Sequence, residues 1–293
     1  MAIKKAVILA GGRGTRFLPY TKAICKELIA VADIPAIDLV VDECVQGGIK
    51  DILIIISPQK QDIKRYFERD YELENFLLSK GKKELCEQVK AIGQKANISY
   101  VVQQEAGGTG HALLLAEKFC GNEPAVILNG DDYIYSGNEP TVVAQLISNF
   151  ENFPYSTLGV QEVAKEQIGK YASCEIVQSF GRSHHISAVY EKPKEEKYIK
   201  SLLAPLGRYV ISADFFPYLK QTKPAANGEL QFTDALLLQA QKSKVFAYEF
   251  IGKRYDLGDK LGYLQAVVEF SLRHKELGEG FKQYLKNLDL KDF

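Results

Sequence analysis

The sequence has no surplus of charge of either sign: 37 Lys and Arg balance 37 Asp and Glu. A neutral chain exerts no global pull on nucleic acid or an anionic membrane, so neither is expected as a partner and any anion must be held by a local site. It has no CxxC pair. Its five cysteines, Cys25, Cys44, Cys86, Cys120 and Cys174, stand singly, which reads as a reduced, cytoplasmic protein rather than a disulfide framework. The four histidines, His111, His184, His185 and His274, have no zinc-ligand spacing with any cysteine. Long apolar runs are missing. The N-terminal run stops at Gly11 and is too short for a signal or membrane segment, and no other stretch approaches membrane length. There is no Pro-, Gly- or Ser-rich linker and no internal repeat. A chain of 293 residues, 46% of them hydrophobic, suffices for one large α/β domain or two small ones, and the missing linker favours one, spanning 1–293.

What is present is an alternation of strand and helix signals. Lys5 to Ala10 is a continuous run rich in β-formers, the pattern of a strand buried on both faces of a parallel sheet. Residues 35–46 carry apolar residues at helical spacing and stop at Gly47-Gly48. Asp51 to Ser57, Ser99 to Gln103 and Ala125 to Leu128 read as further strands, 60–90 as charged helix and 109–119 as one helix. This order predicts a doubly wound, Rossmann-like mixed α/β sheet. The second half is more mixed, with short strands expected at 156–163, 173–178, 186–191 and 245–251 and helices at 212–221, 233–242, 260–275 and 279–287.

Four short segments carry chemistry. Gly11-Gly12-Arg13-Gly14-Thr15-Arg16 follows the first strand directly. Glycines let the backbone turn tightly and bring bare N–H groups to a phosphate, and Arg16 can grip phosphate oxygens with two prongs. The segment is neither a P-loop, lacking its Gly-Lys-Ser/Thr ending, nor a GxGxxG. Alone, such a turn is also a plain tight connection. Asp131-Asp132 closes the strand at 125–128, where ligands of open α/β sheets gather and where a carboxylate can hold Mg²⁺ against phosphate oxygens. The same Asn-Gly-Asp-Asp run also suits a solvated turn. Glu191-Lys192-Pro193 ends a strand, so an acid and a base stand together where the chain bends. Asp256-Leu257-Gly258 taken by itself is a loop aspartate.

Together these segments resemble the sugar-phosphate nucleotidyltransferases. GGRGTR, Leu18-Pro19, Lys22 and Lys26-Glu27 match that family's signature, and TKAICKEL, GTGHALLLA, GDD, EKP, GRYVIS, GELQFTDA and GKRYDLGDKLGYLQA follow in its order over nearly the whole chain. The frame is most similar to the bacterial branch that acts on UTP and glucose 1-phosphate. The resemblance implies a nucleotide-binding half, 1–150, and an added sugar-binding lobe with C-terminal helices, 151–293. It implies Gly11, Gly12, Gly14 and Thr15 under the triphosphate, and Gln103 and Gly108 beside the base. It places Glu191, Ala172 and Gly207 on the sugar. It assigns Asp131 and Asp256 to Mg²⁺, with Asp132 as supporting neighbour. Arg16, Lys26 and Lys192 neutralise charge at the reacting phosphates. A sugar-phosphate oxygen, already ionised at neutral pH, attacks the α-phosphorus and pyrophosphate leaves. No proton shuttle is needed, so His111, which opens a helix, is expected to be structural. A homo-oligomer, dimer or tetramer, is expected.

The sequence departs from the family's pattern at Cys25, where proline is usual, at Val102, where arginine is usual, at Ala172, where glycine is usual, and at Leu202, where asparagine is usual. These changes lie near base and sugar, which keeps open a dTDP- or CDP-sugar-forming enzyme of the same fold. A catalytically weak nucleotide-sugar-binding regulator is the alternative outside catalysis.

Overall fold

The computed structural model describes residues 2–226, 228–289 and 291. Its strands, in chain order, are β1 (Lys5–Ala10), β2 (Ala30–Val31), β3 (Ile34–Pro35), β4 (Asp51–Ile56), β5 (Asn97–Val102), β6 (Ala125–Asn129) and β7 (Asp132–Tyr135). The second half supplies β8 (Ser156–Glu162), β9 (Ala172–Phe180), β10 (Ser183–Glu191), β11 (Leu203–Ile211), β12 (Val245–Glu249) and β13 (Lys253–Asp256). Nine of them form one sheet in the order β5-β4-β1-β6-β11-β8-β12-β10-β9, which runs through both halves of the chain.

The apolar runs become the parallel strands β5, β4, β1 and β6 because helices cover both their faces. On β1, Ala6, Ile8 and Ala10 pack with the helices Ala36–Gln46, Gln61–Phe67 and Val142–Asn152. Val7 points the other way, into a second core with the helices Gly108–Leu114, Phe215–Gln221 and Phe232–Ala240. The helix Ala36–Gln46 ends where predicted, with Gly48 at φ +85°. No described helix is long and apolar enough to cross a membrane.

Four features differ from the reading of the sequence or add to it. Residues 109–119 are not one helix: amides of Leu115 and Ala116 bond three residues back, to Ala112 and Leu113, so the helix tightens and restarts as Glu117–Cys120. Residues 60–90 form three helices, Gln61–Phe67, Tyr71–Ser79 and Lys83–Ile92. Most consequential is β11. Its Pro205 and Gly207 disguise a strand, yet it lies in mid-sheet, antiparallel to both β6 and β8, with its register broken between Pro205 and Tyr209. The ribbon of β7 and β13, too short to read in the sequence, sets Asp256 directly opposite Asp132.

Candidate active site

The glycine turn leaves β1 at the carboxyl ends of the parallel strands and is largely open to solvent. Gly14 adopts φ +67°, and the Thr21 hydroxyl donates to its carbonyl at 2.7 Å. A Cβ on Gly11 would lie 2.8 Å from Gln103 Oε1, and one on Gly14 3.1 Å from the Lys26 stem, so side chains from the base end and the phosphate end crowd this backbone. Thr15 and Arg16 begin and continue a short 3-10 turn, both exposed.

Lys26 donates to Asp131 Oδ2, across 105 residues of chain. Behind it, Lys60 donates to both oxygens of the fully buried Glu27, at 2.7 and 2.6 Å. Asp131 and Asp256 converge: a Cβ on Gly258 would lie 2.8 Å from Asp131 Oδ2, 3.1 Å from Asp256 Oδ1 and 2.6 Å from Arg16 Nη2. Arg16 Nη1 stands 3.6 Å from Asp256 Oδ2, and the Gly258 amide donates to Asp256 Oδ1 at 2.9 Å. Asp132 is turned elsewhere, toward Arg254 and the Asn129 amide.

The electrostatics separate the carboxylates. Burial pushes the Asp131 carboxyl up, but the Lys26 ammonium beside it, together with Arg16 and Lys60, holds it below the usual aspartate range. At Asp132 burial prevails over Arg254 and raises the pKa. Lys26 is disfavoured by burial yet raised overall by Asp131 and Glu27, so it stays an ammonium. For Lys60 and Glu27 burial wins on both sides, lowering the lysine and raising the glutamate.

These residues fit a magnesium ion. Mg²⁺ is a hard cation taken up by one or two carboxylates plus substrate phosphates. Asp131 and Asp256 offer oxygens toward one point, which a side chain at position 258 would fill.

At the base end, Gln103 Nε2 donates to the Gly108 carbonyl at 3.2 Å and meets His111 Nδ1 at 3.1 Å. His111 therefore touches a predicted site residue. The loop is braced by the 229–231 segment: Gly110 N donates to Leu230 O and Leu230 N to Gly107 O, both at 2.8 Å. At the sugar end, Ala172 pairs with Glu191 across β9 and β10, and Thr233 Oγ1 donates to Glu191 Oε2 at 3.0 Å. Lys192 holds φ +44°, a backbone strain that recurs at functional positions. Its amide donates to Tyr171 O at 2.8 Å, while its ammonium is exposed, 3.8 Å from Glu191. Ala172 is 3% exposed, its methyl part of the second core. The sugar-end group does not touch Asp131 directly. Arg254 bridges the two, binding Asp132 and Asp256 on one side and stacking on Tyr171 on the other.

Reading the sequence missed Lys60, Arg254, Thr233 and the pair Arg208–Glu43. Arg208 is fully buried on β11; its Nη2 donates to Glu43 Oε2 at 2.7 Å and to the Asp132 carbonyl at 2.9 Å. It clamps the turn carrying Asp131 to the helix Ala36–Gln46. Gly207 beside it, at φ +71°, lets β11 pass the acids of the 131–132 turn: a Cβ there would collide with Asp132 Oδ2. The Arg following Gly207 inside an apolar run was the available signal.

A glycine turn over the first strand, a lysine on a strand-end aspartate and a second aspartate brought alongside make up a fold and site that handle phosphoryl groups of a nucleotide. The chain belongs to the nucleotidyl transferase family, whose model matches residues 5–271. It is 41% identical over 288 residues to "UTP--glucose-1-phosphate uridylyltransferase 2" of Staphylococcus saprophyticus, covering 98% of this chain and 99% of the relative. Among solved structures, it superposes with TM-score 0.91 on a UTP-bound UGPase from Acinetobacter baumannii, 34% identical, covering 98% of this chain and all of the other. A UDP-glucose pyrophosphorylase complexed with UDP-glucose gives TM-score 0.83 at 36% identity, covering 93% and 100%.

Proposed function

We propose that this chain transfers the uridylyl group of UTP to glucose 1-phosphate, giving UDP-glucose and pyrophosphate. The observation that carries the reading is the convergence of Lys26, Asp131, Asp256 and Arg16 beside the open glycine turn. UTP lies along Gly11, Gly12, Gly14 and Thr15 with its base toward Gln103 and Gly108. Glu191, held by Thr233, accepts from sugar hydroxyls, the Gly207 and Ala172 strands wall the hexose, and Lys192 reaches the sugar phosphate from its strained backbone. A phosphate oxygen of glucose 1-phosphate forms a bond to the α-phosphorus, the α–β bridging P–O bond breaks, and pyrophosphate carries away the electron pair. No side chain need take a proton. Catalysis is positioning plus charge neutralisation by Arg16, Lys26 and Lys192. Asp131 and Asp256 would hold Mg²⁺, which supplies further neutralisation of phosphate oxygens when bound.

A cytoplasmic location is supported by five buried, unpaired cysteines. Assembly of identical chains is supported by an apolar stripe on the helix Lys260–Arg273, where Leu261, Leu264, Val268 and Leu272 are exposed. The test of function is pyrophosphate release from UTP, dTTP and CTP against glucose and galactose 1-phosphates. The highest kcat/KM is expected for UTP with glucose 1-phosphate. A higher value with dTTP or CTP would assign a sister activity, and no release with any pair would leave a nucleotide-sugar-binding protein.

A further inference from the structure

We propose that His111 is a specificity-determining positioning residue: it locks the Gln103 amide so that this side chain offers the base a hydrogen-bond acceptor and no donor. The inference rests on Gln103 being the base contact. The Gly108 carbonyl can only accept, so the amide end within 3.2 Å of it is the nitrogen, Nε2. The same nitrogen meets His111 Nδ1 at 3.1 Å, and since Nε2 is the donor, Nδ1 is the unprotonated ring atom and the imidazole proton sits on Nε2 of the histidine. Both amide hydrogens are thereby used. Oε1 points the other way, over Gly11, and among the described residues no donor reaches it. Gly107 is part of the device: a Cβ there would lie 2.7 Å from His111 Cγ, so its absence lets the ring stand against Gln103.

The consequence is chemical. Uracil and thymine carry a donor at N3, which an amide oxygen accepts. Cytosine carries an acceptor at N3, which only the amide NH₂ could satisfy. A free glutamine turns its amide over and serves either ring. One held by two acceptors on its nitrogen loses both bonds if it turns, so the cytosine N3 acceptor faces the amide oxygen lone pair to lone pair, with only the exocyclic amine left to donate to it, and the ring is disfavoured. Gln103 on its own suits an imide in both senses; His111 and the Gly108 carbonyl remove one of them.

The test compares kcat/KM for UTP and CTP at saturating glucose 1-phosphate in the wild type, Gln103→Ala, His111→Leu and His111→Asn. Asparagine places a carbonyl oxygen where Nδ1 stands; leucine places no acceptor there. His111→Leu is expected to lower the UTP-over-CTP ratio about tenfold, with the change falling on KM rather than kcat, and His111→Asn to keep the wild-type ratio. An unchanged ratio in His111→Leu, beside a ratio lost in Gln103→Ala, overturns the lock and leaves Gln103 as the base contact. An unchanged ratio in Gln103→Ala removes Gln103 from the base and the lock with it. Should His111→Leu fail to fold, ¹⁵N spectra of the wild-type protein decide, with the His111 signals assigned by their loss in His111→Asn: a proton on Nε2 supports the lock and a proton on Nδ1 overturns it.

Discussion

Asp131 is a single carboxylate on which burial and the neighbouring cations Lys26, Arg16 and Lys60 act in opposite directions, and the cations prevail. Replacing it by asparagine keeps the shape and removes the charge that pairs with Lys26 and, in the proposed reaction, would hold Mg²⁺. Turnover should fall about 10²-fold or more, or about 3 kcal/mol of transition-state stabilisation, in a pyrophosphate-release assay. The pH dependence of stability follows from the direction of the shift. A carboxyl whose folded pKa lies below its unfolded value of about 3.9 contributes stability that is present above that value and lost as pH falls through the folded pKa. The stability difference between wild type and Asp131→Asn, measured by urea unfolding, should therefore be constant from about pH 8 to pH 5 and shrink below about pH 4. Ala172 is the opposite case, a residue singled out by sequence whose side chain the fold uses for packing. With its methyl in the second core, Ala172→Gly should cost about 1–2 kcal/mol of stability, for the lost methyl and a glycine in a strand. The preference for glucose over galactose 1-phosphate should hold within about twofold. A larger change would show that the methyl meets the sugar.

Among the elements, β11 decides most about the site while announcing itself least. It joins the parallel half of the sheet to the antiparallel half, between β6 and β8. Its irregular middle puts Gly207 against Asp132 and sends Arg208 into the core. The guanidinium there has Glu43 and three backbone carbonyls, those of Asn129, Gly207 and Asp132, within hydrogen-bond reach. Removing it leaves Glu43 buried without its partner, so Arg208→Leu should cost about 3–5 kcal/mol in urea unfolding, more than a surface ion pair could. Turnover in the surviving folded fraction should fall as well, since the Asp131 turn loses its anchor. A loss under about 1 kcal/mol would show that the pair is dispensable to both.

At the scale of the whole molecule, a chain with zero net charge concentrates cations at one end of one sheet, where Arg16, Lys26 and Lys60 meet acids from three separate segments, Glu27, Asp131 and Asp256. The apolar stripe on the helix Lys260–Arg273 lies outside that cluster. If it joins identical chains, Leu264→Glu should shift the mass measured by light scattering toward the monomer and leave the far-ultraviolet circular dichroism unchanged. An unchanged mass would place the interface elsewhere. By itself the sequence determined the elements whose pattern is local: the buried strands β1, β4 and β6, the glycine turn after β1, the helix stop at Gly47-Gly48, and the strand-end position of Asp131. Periodicity and glycine placement are set by neighbours within a few residues, so they can be read without the fold. Only the tertiary structure decided what depends on distant segments meeting. It paired Lys26 with Asp131, brought Asp256 alongside through the β7–β13 ribbon, turned Asp132 away onto Arg254, buried Arg208 on Glu43 and set His111 against Gln103. Each of these contacts except the last spans more than 100 residues of chain, and none leaves a period or spacing in the sequence, because an ion pair requires only that two side chains arrive at the same place.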